Sequence, residues 1–407
     1  MTENNNYFAR RNLAIDMLRA LTMFTMIFVN DLWSVHDVPH WMEHAVVGED
    51  FAGLSDFVFP CFLFAMGMSI PYAIESRYSK GLSGESTLAH ILKRTFALLI
   101  MGVCTVNAGN LAPDIPYNAG GYYLMMVAGF ILIWNKYPTD PGRKWLFNTL
   151  EVLGWAILLF LMFTCRHADG SVFRSSWWGI LGLIGWAYLF CAMVYLLLRH
   201  NFGALLGVFI GLVVICVLNT PLREEFGGKP ILDFPEGNFY GQALGIVHLG
   251  NGCLAALSMG GVMLSVVCSR MAGYSDNRRL GVGLASAVGM LAIALILHRF
   301  FIVSKLGETP CWIFYTLAIS LTLYFTFTWL NSRGLSGWFA IIRPAGTATL
   351  TAYVLPYVAY GITYFTDWHM PDWFTHGIWG IVNCLCFSFI IILITGLLER
   401  IHIKLKI

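Results

Sequence analysis

The sequence predicts an all-α protein, a polytopic transmembrane bundle of eleven or twelve helices. Hydrophobic residues make up 57% of the 407 positions and charged residues only 12%, and the mean hydropathy is +0.67. Soluble domains carry about 25% charged residues, so a chain this long with half that share could not cover a water-facing surface. The composition excludes disordered, collagen-like, coiled-coil and disulfide-rich secreted proteins. The net charge of +2 gives no indication of nucleic-acid binding.

The predicted spans follow from the apolar stretches, because a membrane-spanning helix needs about 20 predominantly apolar residues. The fourth and seventh stretches are short, which leaves the count at eleven or twelve. No loop is long enough for a soluble domain, so residues 1–407 are expected to form a single integral membrane domain, without a cleavable signal peptide. In chain order, the predicted spans are residues 13–34, 51–76, 88–107, 120–135, 145–165, 177–198, 202–219, 249–268, 280–303, 312–330, 345–365 and 377–398.

The distribution of basic residues predicts the orientation of these spans. Lys and Arg fall on alternate loops in a ratio of about three to one, and the richer set of loops is expected in the cytoplasm. Tryptophans such as Trp33, Trp145 and Trp338 lie at the predicted borders, as in an aromatic belt. With twelve spans, both termini are therefore expected in the cytoplasm.

The first span carries polar residues that are costly in lipid, namely Asp16, Arg19 and Asn30. At about 100° per residue, Arg19 and Asn30 lie about 20° apart around the helix and roughly 16 Å apart along it. One explanation is a structural ion pair between Asp16 and Arg19, three residues apart. The alternative is that this helix face borders a cavity that handles a ligand, since Asn30 extends the polar stripe toward the far side.

The second span places a carboxylate beside a freed backbone carbonyl. Pro60 has no N–H group, so it cannot bond to the carbonyl of Asp56 four residues earlier. Gly67 lies eleven residues after Asp56 on nearly the same face, where it permits close approach of another helix. A simple membrane-helix kink at Pro60 is the alternative.

The loop between these spans is rich in histidines and carboxylates. It contains His40, Glu43 and His44 within five residues. A metal site on His40 and His44 requires a helical loop and is the weakest explanation, so no metal is predicted. A solvated loop without chemistry and a general base facing the outer aqueous side both remain open.

Two segments resemble the heparan-α-glucosaminide N-acetyltransferase family and its bacterial relatives, which are related to other membrane acyltransferases. They are residues 13–30, followed by His44, and residues 56–69 with the order Asp-Phe-Val-Phe-Pro-Cys-Phe-Leu-Phe-Ala-Met-Gly-Met-Ser. Residues 233–237 resemble the family's Asp-Pro-Glu-Gly loop with one residue inserted. Residues 346–353 resemble its Gly-x-Asn…Tyr segment, with Ala348 in place of the Asn.

The resemblance implies transfer of an acetyl group from cytosolic acetyl-CoA to a glucosamine-type amine on the other side of the membrane. It implies that His44 and Asn30 are catalytic. An imidazole is a suitable base for a sugar ammonium, and the Asn30 amide could stabilise the developing oxyanion. Asp56 or Glu43 could orient His44, which acts as the base or carries the acetyl group itself. Arg19, Lys93 and Arg94 are the candidates for the phosphates of acetyl-CoA.

The expected setting follows from the same resemblance. The protein is expected in a bacterial inner membrane, with membrane lipid and a small-molecule or glycan acceptor bearing a free amine as partners. The oligomeric state, a homodimer included, stays open. The acyl donor is predicted to thread between the first two spans, past Pro60 and Gly67. A transporter or permease for a sugar or cell-wall fragment is the alternative function, and a catalytically silent scaffold is a third.

Overall fold

The computed structural model describes residues 7–8, 11–113, 115–138, 140–175, 179–232, 249–366 and 370–407. Within them the regular structure is helical, apart from isolated β-bridges. The helices, numbered in chain order, are α1 Leu13–Asp31, α2 Leu54–Ser79, α3 Gly84–Val106, α4 Ala119–Trp134, α5 Lys144–Thr164, α6 Ile180–Leu198, α7 Phe202–Asn219, α8 Cys253–Arg270, α9 Asp276–Leu297, α10 Pro310–Ser332, α11 Phe339–Thr347, α12 Thr349–Val354, α13 Pro356–Thr366 and α14 Gly377–Arg400.

The helices confirm the predicted all-α membrane architecture. Ten helical segments of the described chain have at least 18 residues and are apolar enough to cross a membrane. α4, the fourth predicted span, is a shorter apolar helix of 16 residues. Asparagine side chains cap several of these helices: the Oδ1 atoms of Asn12, Asn118 and Asn201 each accept a backbone N–H from the first turn.

The eleventh predicted span, residues 345–365, is wrong as a continuous helix. The segment is divided into α11, α12 and α13, with breaks at Ala348 and Leu355. Ala348 leaves helical geometry with φ −121° and ψ 45°, and Pro356, which has no N–H group to continue the ladder, begins α13. The ninth span also ends earlier than predicted, at Leu297, because the following residues form a loop.

The chain divides into two compact units. The first consists of residues 1–22, 39–92 and 186–341. In it α2 and α8 touch backbone to backbone: a Cβ on Gly67 would lie 1.9 Å from the carbonyl oxygen of Ser258, and one on Gly261 would lie 2.1 Å from that of Phe64. The predicted close approach at Gly67 is therefore confirmed. α8 thus occupies the surface of α2 at Gly67, and the predicted donor path between the first two spans stays a prediction.

The second compact unit consists of residues 23–38, 93–185 and 342–407. In it α4 packs against α5 and α13 through small residues. A Cβ on Gly120 would lie 2.4 Å from the carbonyl oxygen of Gly361, so α4 and α13 are also in backbone contact. Gly129 and Gly154 likewise allow close approach of α4 and α5.

Candidate active site

The first compact unit holds a buried carboxylate in contact with a histidine. His44 lies in the segment 39–53 that leads into α2, called the histidine loop below, and Asp56 lies in the first turn of α2. The Nδ1 atom of His44 lies 2.7 Å from Oδ1 of Asp56. The Asp56 side chain is 1% exposed, whereas that of His44 is 48% exposed. Because an ionised carboxylate only accepts hydrogen bonds, Nδ1 carries the proton and the Nε2 lone pair is left available.

Asp56 is fixed by bonds to both of its oxygens. Its Oδ2 accepts the backbone N–H of Ala45 at 3.0 Å and that of Gly53 at 3.2 Å. The second of these bonds caps the start of α2, since Gly53 is the N-cap residue. The carboxylate therefore connects the helix to the histidine loop and orients the imidazole at the same time. Of the two carboxylates proposed to orient His44, Asp56 makes the contact, and Glu43 instead lies 3.6 Å from Nδ1 of His40.

The carbonyl group freed by Pro60 has a partner. The indole Nε1–H of Trp312, a fully buried residue of α10, donates to the carbonyl oxygen of Asp56 at 3.2 Å. Pro60 thus removes one intrahelical bond, and α10 replaces it. This bond ties the first turn of α2 to α10.

Gly53 is required where the histidine loop crosses the start of α2. A Cβ at this position would lie 2.2 Å from the carbonyl oxygen of Glu43 and 3.1 Å from that of Trp41. Both contacts are with backbone atoms, which cannot move without shifting the loop. Because Glu43 precedes His44 directly, Gly53 fixes the position of the imidazole.

Lys305 is the site residue that sequence reasoning missed. Its Nζ lies 3.3 Å from Nδ1 of His44 and 3.8 Å from Oδ1 of Asp56. Burial lowers the pKa of Lys305, and the charge of Asp56 acts in the opposite direction. The ammonium group provides a nearby positive charge for the buried carboxylate. No spacing in the sequence connects this lysine to residues about 250 positions earlier.

Asp50 anchors the histidine loop just before the start of α2. Its carboxylate accepts the backbone N–H of Val303 at 2.7 Å and contacts Nε2 of His298 at 2.9 Å and the guanidinium of Arg223 at 2.5 Å. Burial acts to raise the pKa of Asp50, but these three partners outweigh it and hold the pKa below its usual range. The loop is therefore held at its middle by Asp56 and near its α2 end by both Asp50 and Asp56.

The basic residues assigned to acetyl-CoA have different surroundings. Arg19 pairs with Asp16, as the structural alternative predicted, and Asp16 also pairs with Arg11. Lys93 is exposed and Arg94 is half-buried, both on α3 in the second compact unit. Their part in donor binding stays a prediction.

Asn30 lies in the second compact unit. It is exposed at the end of α1 and lines a cavity of about 740 Å³ in that unit. Its predicted role in the transfer stays a prediction. The predicted loop at 233–237 lies outside the described residues.

The described residues contain no group of three or more His, Cys, Asp or Glu side chains arranged to hold a metal ion. His40 bonds instead to Glu49 at 2.9 Å and stacks on Phe51, with ring centroids 4.3 Å apart. Within the histidine loop, Glu49 therefore positions the imidazole of His40.

Comparisons with known proteins match the part of the chain that carries this site. Residues 11–112 match the family model of the heparan-α-glucosaminide N-acetyltransferase catalytic domain. The mouse heparan-α-glucosaminide N-acetyltransferase is 33% identical over 188 residues, a match that covers 39% of this chain and 27% of the mouse protein. The match thus spans about a quarter of the length of that relative. Together these similarities show that the matched part of the chain resembles heparan-α-glucosaminide N-acetyltransferases.

Proposed function

We propose that this protein is a membrane N-acetyltransferase that transfers the acetyl group of acetyl-CoA to the amine of an amino sugar or glycan. The observation that carries the proposal is the pair formed by His44 and Asp56. The imidazole is oriented through Nδ1 by a buried carboxylate. Its Nε2 atom makes no hydrogen bond to any described residue, and the side chain is half exposed. This is the arrangement of a general base held ready for a substrate. The similarity to an N-acetyltransferase catalytic domain supports the same chemistry.

The proposed reaction requires one proton acceptor and one activated carbonyl. The amine nitrogen attacks the thioester carbonyl carbon, a C–N bond forms and the C–S bond breaks. Nε2 of His44 takes the proton from the attacking nitrogen, and the departing thiolate takes a proton back from the imidazolium. Asp56 stabilises the imidazolium and keeps its Nδ1–H pointing toward the carboxylate. Lys305 balances the charge of Asp56 and is a positioning residue.

The proposed transfer is vectorial. Acetyl-CoA enters from the cytoplasm, where the basic loops attract its phosphates, and the amine is acetylated at the outer face of what is proposed to be a bacterial inner membrane. Both termini are then cytoplasmic. The test uses right-side-out vesicles loaded with labelled acetyl-CoA and an external, impermeant amino sugar. Label should accumulate on the external sugar. Acetylation of amino sugars only on the side that holds acetyl-CoA would contradict the vectorial mechanism.

The orientation of the spans can be tested separately with two cysteine substitutions, made one at a time in the natural protein. Asp140 and Asp169 are exposed residues on the loops that flank α5. Nine of the ten natural cysteines are buried, which keeps background labelling low. An impermeant thiol reagent should label Asp169→Cys from the outside and Asp140→Cys only after the membrane is opened. Equal labelling from one side would contradict the proposed threading.

A further inference from the structure

The second compact unit contains a row of tyrosines on one helix face. Tyr353 of α12 and Tyr357, Tyr360 and Tyr364 of α13 are spaced by four, three and four residues, so they follow one stripe. We call these four residues the tyrosine row. Tyr123 of α4 stacks on two of them: its ring centroid lies 5.7 Å from that of Tyr357 and 5.9 Å from that of Tyr364, with interplanar angles of 25° and 18°. The glycine contact between α4 and α13 brings these rings together.

The tyrosine row forms one wall of the 740 Å³ cavity. The end of α1 supplies polar groups to the same cavity, namely Asn30, Asp31 and Ser34. Pockets that bind small ligands have volumes of about 300–1,000 Å³ and combine aromatic walls with a few convergent polar groups. Because α12 and α13 are separate short helices, the irregular backbone here borders a cavity, as expected at membrane depth.

The charge of the cavity selects the type of ligand. Asp31 is the one charged side chain among the described residues that line it, and none of them is Lys, Arg or His. The hydroxyl of Tyr360 donates to Oδ1 of Asp31 at 3.2 Å, and the thiol of Cys384 also bonds to this carboxylate. Both partners are neutral groups, and among the described residues no Lys or Arg forms an ion pair with Asp31. A partly buried carboxylate is costly until a positive charge pairs with it. The cavity therefore suits a cationic ligand and disfavours the phosphates of a nucleotide donor.

The aromatic walls further restrict the chemical class of ligand that the cavity can bind. A pyranose ring offers a C–H face with partial positive charge, which packs on the negative face of a tyrosine ring, and hydroxyl groups that bond to phenol and amide groups. A protonated amine gains from the same ring faces through a cation–π interaction. A ligand with both features is an amino sugar.

We propose that this cavity binds the acceptor as a protonated amino sugar, with the sugar ring against the tyrosine row and the ammonium group on Asp31. The assignment rests on the proposed function for the identity of the reaction, and on the charge and shape of the cavity for the ligand. Before transfer the ammonium loses one proton to water. The resulting amine forms the C–N bond while the C–S bond breaks, and its second proton passes through His44 to the departing thiolate. The amide product is neutral, so it loses its interaction with Asp31 and is released. Asp31 is thus the residue that distinguishes the substrate from the product.

The test measures binding of glucosamine and of N-acetylglucosamine to the purified full-length protein in detergent, without acyl donor, by titration calorimetry. Glucosamine should bind at least about tenfold more tightly, which corresponds to about 1.4 kcal/mol. Asp31→Asn keeps an acceptor for Tyr360 but removes the charge, so it should abolish this preference. The matched control is Asp140→Asn, an exposed aspartate of the same unit that does not line the cavity, and it should keep the preference.

A second variant tests the location of the site without changing its charge. Ala359 lines the cavity, and Ala359→Phe should fill part of it and weaken binding of both sugars. Equal affinity of the two sugars for the natural protein, a preference that survives Asp31→Asn, or unchanged binding by Ala359→Phe would each overturn the assignment.

Failure of the proposed function has a different signature. Preferential glucosamine binding that depends on Asp31, in a protein that transfers no acetyl group, would contradict the proposed function and support the binding site. Acetyl transfer to amino sugars with an acceptor KM that Asp31→Asn leaves unchanged would support the function and contradict the site.

Discussion

Replacement of Asp56 by Asn should abolish transfer while the protein stays folded. In the natural protein Oδ2 accepts two backbone N–H groups, and Oδ1 accepts the Nδ1–H of His44. The single carbonyl oxygen of Asn must take the position of Oδ2, since an amide NH₂ there would face two donors. The NH₂ group then faces Nδ1 of His44, which must become an acceptor. The imidazole proton moves to Nε2, and the base is lost.

The size of the effect follows from these contacts. Loss of general-base catalysis costs about 10²–10⁴-fold in rate. The two backbone bonds persist but become neutral, which weakens them by roughly 1 kcal/mol in total. The expected result is a fall in kcat of at least about 100-fold, with an unchanged KM for both substrates and a melting temperature within a few degrees of the natural protein.

The assay compares transfer from labelled acetyl-CoA with thermal unfolding of the same preparations. Asp56→Ala is the contrasting variant, because it leaves the N–H groups of Ala45 and Gly53 without their acceptor. Each buried unsatisfied group costs about 1–3 kcal/mol, so this variant should lose stability as well as activity. Near-natural turnover by a folded Asp56→Asn protein would refute the assignment of Asp56 as the residue that positions His44.

Two further substitutions test how the histidine loop and the start of α2 are held, and a third tests a buried carboxyl group, Glu308, in the loop before α10. Gly53→Ala should destabilise the protein by about 1–3 kcal/mol through overpacking and lower transfer, whereas Gly337→Ala, where a Cβ meets no atom within 4 Å, should do neither; equal melting temperatures would contradict this. Trp312→Phe removes the donor for a buried carbonyl and should cost about 1–3 kcal/mol in unfolding free energy, and an unchanged denaturation midpoint would count against the bond. Burial raises the pKa of Glu308 to about 7, so its ionisation penalty grows between about pH 4.5 and 7; Glu308→Gln should gain stability relative to the natural protein across that range, and parallel melting curves from pH 5 to 8 would exclude the shift.

Much of the fold was predictable because its cause is local. Runs of apolar residues specify the long helices, and the missing N–H of Pro60 predicts a carbonyl that needs another partner. The eleventh span was predicted wrongly because hydropathy is averaged over about 20 residues, and Pro356 and the apolar residues around it have the same average as a continuous helix. The proline was visible in the sequence and was the available signal for the break.

The site was predictable only in part, because its geometry depends on contacts between distant segments. The choice between Asp56 and Glu43 as partner of His44 depends on how the histidine loop crosses Gly53, which no periodicity reveals. Lys305 comes from a loop that precedes α10, and only the packed structure brings it to the histidine. The spacing of four, three and four residues in the tyrosine row is visible in the sequence, but the cavity that these tyrosines line is visible only in the structure.

The most direct test of the account replaces two histidines of the same loop, one at a time, by glutamine. His44 lies against Asp56, and His40 lies four residues earlier with an exposed side chain bonded to Glu49. The measurement is the rate of acetyl transfer from labelled acetyl-CoA to a panel of amino sugars by the purified, reconstituted protein. The account predicts transfer by the natural protein, nearly the same rate in His40→Gln, and a loss of at least about 100-fold in His44→Gln. Near-normal turnover in His44→Gln, or sugar counterflow without any acetyl transfer by the natural protein, would contradict it.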